Sequence, residues 1–276
     1  MLTLGVLARV EQLLRERHGD PELRLADYFD LIAGTSTGAI IAATLARGMS
    51  VAEAQSLYRR LAGQIFQKSL LRQGLFRAKY DAQALTGFLK QEFGDDTLGS
   101  DHLRTGLLVV AKRADTGSPW PMSNNPKGKY FDPQKPFVIP NKDYPLWAVV
   151  RASTAAPSYF EPEFIRIAQA ADGTSITGTF MDGGVSTANN PALVAYRFAT
   201  LKGYRIDWPT GEERILLVSV GTGTPNPDVI PSNVPGKAAL KVVGRYEQAA
   251  QIYKVARQKH PSAPETSKAP SSSSMR

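Results

Sequence analysis

The sequence contains no cysteine. That excludes disulfides, thiolate zinc sites and a cysteine nucleophile, and it leaves the redox compartment undetermined. Histidine is nearly as scarce, with only His18, His102 and His260. No apolar run reaches the roughly 18 residues that a bilayer-spanning helix needs. The N-terminus shows no basic segment followed by a long apolar stretch and a small-residue cleavage site. Neither a spanning helix nor a secretory signal is expected, and the expected location is cytoplasmic, with peripheral contact at membranes. Acidic residues vanish between Glu53 and Asp81, while Arg59, Arg60, Lys68, Arg72, Arg77 and Lys79 alternate there with Phe66, Leu70, Leu71, Leu75 and Phe76. Residues 59–79 therefore fit a surface that meets anionic lipid headgroups with cations and the acyl boundary with Leu and Phe. A solvated helix face beside ordinary core residues gives the same pattern. The formal charge of +8 would also suit nucleic acid, but no recognition motif supports that partner, and none is expected.

What is present is enough apolar sequence, 42% of 276 residues, to bury one large core. One domain over 1–258 is expected, followed by a polar tail, 259–276, whose composition is that of a disordered segment. Leu4, Leu7, Val10 (or Glu11) and Leu14 recur at helical spacing, with Gly19 as a stop. Ser50 and Glu53 make a capping box for a helix from 51 to about 67, and Asp81 could cap another that ends near Gly94. Short apolar runs ending near Ala33, at 105–114, at 177–182 and at 214–223 read as strands, the second and the last of them buried. Residues 115–145 read as a long irregular excursion, a lid or an insertion. Asn190 and Pro191 open a helix that Gly203 closes, and 238–258 is helical in pattern. Strands alternating with helices predict an α/β fold with a mostly parallel sheet covered on both faces, its sites at the carboxyl ends of strands. The turns after 33, 182 and 221 are such ends and can converge.

Gly34-Thr35-Ser36-Thr37-Gly38 has the spacing of a nucleophile elbow between an apolar strand and an apolar helix. The serine needs a sharp, strained turn to stand exposed, and the glycines on either side avoid collision with neighbouring backbone. The helix that follows aims its first amides at a developing oxyanion, and the Thr37 N–H is the natural donor. A capping serine in a Gly-rich turn is the plain alternative. A hydroxyl nucleophile needs a base within reach. The order Ser36, Asp182, His260 satisfies a hydrolase triad, yet His260 lies in the polar tail, His102 precedes the acid and His18 ends an amphipathic helix. Asp182, at a strand end before Gly183 and Gly184, is the better candidate: a partly buried carboxylate can act as general base when burial raises its pKa. An Asp that closes its own tight turn is the alternative.

These residues resemble the patatin-like phospholipases and lipid acyl hydrolases. The likeness is carried by "GTSTG" at 34–38, "RASTAAPSYFEP" at 151–162, "DGG" at 182–184, "NNPA" at 189–192 and "LVSVGTG" at 217–223, in the family's order over about 4–223. The resemblance implies a three-layer patatin-like fold and hydrolysis of phospholipid or other glycerolipid esters through an acyl-enzyme. In that chemistry Ser36 is the nucleophile and Asp182 the base, with no histidine, metal or cofactor. One departure stands out. The family's glycine-rich loop, D-G-G-G-x-R-G, which supplies oxyanion-hole amides, is not in this sequence, and residues 1–14 look like the helix that follows it. The first strand and the loop are thus expected to be missing, through a shortened chain, a mis-assigned start or a degenerate copy. A second reading follows from that departure: a patatin-like domain impaired in catalysis that binds lipid or a partner.

Overall fold

The computed structural model describes residues 1–70, 82–157 and 159–221. The helical pattern at 238–258, the polar tail with His260, the Asp81 cap, the turn after 221 and the basic stretch from 71 onward lie outside the described residues.

Helix α1, Leu2–His18, follows the predicted periodicity and stops where Gly19 turns left-handed (φ 64°). Of the pair Val10 and Glu11, it is the acid that is buried, 3% exposed. Its two carboxylate oxygens accept the Val51 N–H at 3.2 Å each, and Arg15 pairs with it at 3.0 Å. Glu11 therefore caps helix α4, Val51–Leu70, from outside that helix. The capping box forms as well: Ser50 Oγ accepts the Glu53 N–H at 3.2 Å, and Glu53 Oε2 accepts the Ser50 N–H at 2.7 Å. Replacing Glu11 by Ala strands a helix-end N–H and a half-buried guanidinium. Glu11→Ala is expected to cost about 1–3 kcal/mol in urea unfolding.

The sheet is built on β2, Gly106–Arg113, whose residues 107–111 are apolar on both faces. Leu107, Val109 and Ala111 enter a core with α3 (Thr37–Ala46), α4, α5 (Ala82–Phe93) and α6 (Leu146–Ser153). Leu108 and Val110 point the other way, onto Ala195 and Phe198 of α7, Ala192–Thr200. Helices thus cover both faces, which gives the expected three-layer α/β arrangement. A short helix α2, Leu25–Tyr28, leads into β1, Leu31–Thr35, which pairs parallel to β2.

The sheet is mixed rather than mostly parallel. Among the described pairings the others are antiparallel: β2 with β3 (Pro119–Ser123), β2 with β5 (Ser175–Asp182), and β5 with β4 (Glu163–Gln169). Tight turns at 114–118 and 170–174 join successive strands, and a turn that short can only reverse the chain. The expected excursion at 115–145 accordingly begins as a strand.

The expected buried strand at 214–223 is not one over its described part. Residues 214–221 pair with no strand among the described residues, and Leu216, Leu217 and Val218 are 67, 51 and 45% exposed. An apolar run becomes a strand only when a neighbouring edge takes its N–H and C=O groups. Here the polar tie is Asn190 Nδ2, which donates to Ser219 Oγ at 3.1 Å. No helix among the described residues is long and apolar enough to cross a membrane.

Candidate active site

Register alone brings the two candidate residues together. Val110 pairs with Thr35 on β1, and the next residue, Ala111, pairs with Asp182 on β5. Residues 108–110 already have β3 on their other side, and so do 111 and 112, so β1 and β5 occupy the same edge of β2. They approach from opposite directions, and their carboxyl ends meet head to head.

Where β1 ends, Ser36 takes φ 57° and ψ −131°, a backbone conformation rare for any residue with a side chain. Gly34 makes room for this turn. A Cβ there would stand 2.2 Å from the Gly38 carbonyl oxygen. Gly38 itself has open space around it, so the expectation that both glycines avoid a collision holds for the first and not for the second. Helix α3 begins at Thr37, whose N–H is among those that have no acceptor within the helix.

The Ser36 hydroxyl donates to Asp182 Oδ2 at 2.5 Å. Asp182 is 4% exposed, and its other oxygen accepts the Gly184 N–H at 2.6 Å. Burial pushes the Asp182 carboxyl above its ordinary value, against the opposing pull of the hydrogen bonds from Ser36 and Gly184. Gly183 allows the strand to pass this close: a Cβ there would meet the Val110 carbonyl oxygen at 2.3 Å. A hydroxyl held against a carboxylate whose proton affinity is raised is an arrangement in which the proton can pass from one to the other.

Beside the pair opens a cavity of about 260 Å³. Ser36, Thr37 and Asp182 are among its polar lining residues, and Ile40, Leu61, Leu85 and Phe160 are among its apolar walls. One wall is the segment after α6 that the motif at 151–162 encodes. Arg151, only 2% exposed, holds that segment from behind, donating to the Glu161 carbonyl at 3.1 Å with its guanidinium 5.1 Å from the Phe160 ring centre. The described histidines stand elsewhere. His102 Nδ1 lies 2.6 Å from Asp96, His18 packs edge-on against Tyr28, and neither lines the cavity.

Sequence reasoning passed over Ser153 and Ala155. The Ser153 hydroxyl accepts the Ser36 N–H at 2.8 Å, and the Ala155 carbonyl accepts the Asp182 N–H at 2.9 Å. Both lie inside "RASTAAP", but neither residue type announces a role; only the meeting of α6 with the two strand ends does.

A family model described as patatin-like phospholipase matches residues 1–196. The chain is 28% identical over 250 residues to a cGAMP-activated phospholipase of Vibrio cholerae, a match that covers 86% of this chain and 65% of that protein. It is 32% identical over 229 residues to an intracellular phospholipase A2 of Caenorhabditis elegans, covering 80% of this chain and 18% of the relative. With Patatin-T5 of Solanum tuberosum it shares 28% over 232 residues, 79% of this chain and 56% of the relative. The chain therefore spans less than two thirds of the length of each of these proteins. The matched residues include Ser36, Asp182 and the whole sheet that joins them, and the chain belongs to the patatin-like phospholipase family.

Proposed function

We propose that the chain hydrolyses carboxylic esters of phospholipids or related glycerolipids through a Ser-Asp dyad. The observation that carries this reading is the 2.5 Å contact between Ser36 Oγ and Asp182 Oδ2, two residues that line a largely apolar cavity. Ser36 Oγ attacks the acyl carbonyl carbon and its proton passes to Asp182. The carbonyl oxygen becomes an oxyanion that faces the Thr37 N–H at the positive end of α3. Collapse expels the alcohol, which takes the proton from Asp182 and leaves the acyl group esterified to Ser36. Water, deprotonated by Asp182, then attacks the acyl-enzyme; collapse releases the fatty acid and expels Ser36 Oγ, which takes the proton back from Asp182. The phospholipase names of the relatives support the substrate class.

Helix α4 supports an interfacial approach, since it carries cavity-lining Tyr58, Leu61 and Ala62 beside exposed Arg59 and Arg60. Arg60 is ion-paired with Glu92 at 3.2 Å, which leaves Arg59 as the cation on this turn better placed for headgroups. The test is release of p-nitrophenol from a short-chain ester and of fatty acid from anionic phospholipid vesicles, by the wild type and by Ser36→Ala. Turnover by the wild type and its loss in the variant are expected in both assays. Equal rates in both would overturn the reading. A wild type that binds vesicles without hydrolysing either substrate would establish the lipid-binding alternative instead.

A further inference from the structure

Ser153 ends α6 and is fully buried. Its hydroxyl is committed on both sides, accepting the Ser36 N–H at 2.8 Å and donating to the Val110 carbonyl at 2.7 Å. Val110 pairs with Thr35 in the last step of the β1–β2 ladder. At Ser36 the backbone turns to positive φ and leaves that ladder. The turn would leave one N–H and one C=O inside the protein without partners, and the Ser153 hydroxyl stands between them. Two residues on, the Ala155 carbonyl takes the Asp182 N–H. The end of α6 thus grips the nucleophile's backbone and the base's backbone from one short stretch of chain. Thr154 and Ala156 line the cavity, whereas Ser153 and Ala155 do not, so Ser153 has no contact with a bound ester.

We propose that Ser153 is a positioning residue: by standing in for the missing ladder bond it fixes the Ser36 backbone, and so aims Ser36 Oγ at Asp182. The proposal rests on the reading of Ser36 and Asp182 as nucleophile and base. Removing the hydroxyl frees the elbow to shift, and a displacement of the nucleophile by about 1 Å can cost on the order of 100-fold in rate.

The experiment compares wild type, Ser153→Ala, Ser153→Thr and Ser36→Ala, each assayed well below its own unfolding temperature. The measurements are kcat and KM on a short-chain p-nitrophenyl ester and the rate of covalent labelling by a fluorophosphonate. Ser153→Ala is expected to lose roughly 10- to 100-fold in kcat, with KM within about twofold of wild type and labelling slowed in parallel. Ser153→Thr keeps the hydroxyl but crowds a filled site with a methyl group, so its unfolding temperature falls while its kcat stays above that of Ser153→Ala. Activity then follows the hydroxyl rather than stability. The positioning role is overturned if Ser153→Ala keeps the wild-type kcat while Ser36→Ala is inactive, or if the threonine variant is the slower of the two. Should Ser153→Thr fail to fold, the kcat of Ser153→Ala alone decides. Wild-type turnover by Ser36→Ala would instead bring down the dyad reading, and this proposal with it.

Discussion

Ser36→Gly should unfold at a higher temperature than Ser36→Ala, the reverse of the usual order of these two residues, with both variants losing about 10⁴-fold or more in ester turnover. The two substitutions remove the same hydroxyl, and with it the same hydrogen bond to Asp182, so the difference between them isolates the backbone. Ser36 sits at φ 57° and ψ −131°. In such a conformation a residue with a Cβ carries roughly 1–3 kcal/mol of strain, which glycine does not. Against this, glycine widens the unfolded ensemble and forfeits about 0.4–1 kcal/mol. Strain relief outweighs that loss. A net gain of about 1 kcal/mol raises Tm by roughly 2–4 °C in a chain of this size. An alanine variant more stable than the glycine one by that loss of about 0.4–1 kcal/mol would show that the elbow stores no strain. Turnover within about tenfold of wild type in both would place the nucleophile elsewhere, because removal of an attacking group from a dyad leaves only binding and oxyanion contributions.

The elements that position the site differ sharply in how far the sequence foretold them. β2 was legible because a strand buried on both faces must be apolar along its buried length, and "LLVVA" at 107–111 is. The elbow and the DGG turn were legible because a Cβ at Gly34 or Gly183 would stand 2.2 or 2.3 Å from a carbonyl oxygen, a constraint written in the residue itself. β3 was not legible. Pro119 and Pro121 argue against a strand, and their missing N–H groups are tolerated because, among the described residues, β3 pairs with β2 alone. β4 and α6 escaped as well. β4 shows little burial along its length, and α6 is short and largely buried, so it lacks the one-sided pattern that marks a surface helix. The exposed segment at 215–218 erred the other way, since Ile215, Leu216, Leu217 and Val218 have a strand's composition without a ladder. Composition reports what a segment would gain by burial; whether an edge is available to take it depends on the rest of the sheet. Glu11 makes the same point from the polar side. Its burial follows from the α4 amide it caps, a partner 40 residues away along the chain.

Asp182→Asn is expected to lower kcat by about 10²–10⁴-fold while leaving the protein more stable than wild type at neutral pH. The isosteric amide keeps both contacts. Its oxygen can accept the Gly184 N–H now held at 2.6 Å, and its NH₂ can donate to Ser36 Oγ, reversing the 2.5 Å bond. What it cannot do is take the serine proton. The stability effect has the opposite sign because burial holds the Asp182 carboxyl above its ordinary value of 3.8 in the folded protein. Below that ordinary value the group is protonated whether the chain is folded or not, and burial carries no charge penalty. As pH rises through the raised folded value, the unfolded chain has already released its proton, and the folded state must hold a buried anion; stability falls across that window and stays lower above it. The Tm advantage of Asp182→Asn over wild type should therefore be present at pH 7 and shrink toward nothing as pH drops below 3.8. The same raised value governs catalysis, since only the ionised carboxylate accepts a proton. The acid limb of kcat/KM for the wild type should have its midpoint above 3.8, and the residual activity of the asparagine variant should lack that limb. An acid limb at or below the ordinary aspartate value, or an asparagine variant as active as wild type, would remove Asp182 from the role of base. It would then be left as the carboxylate that ties the β5 turn to Gly184.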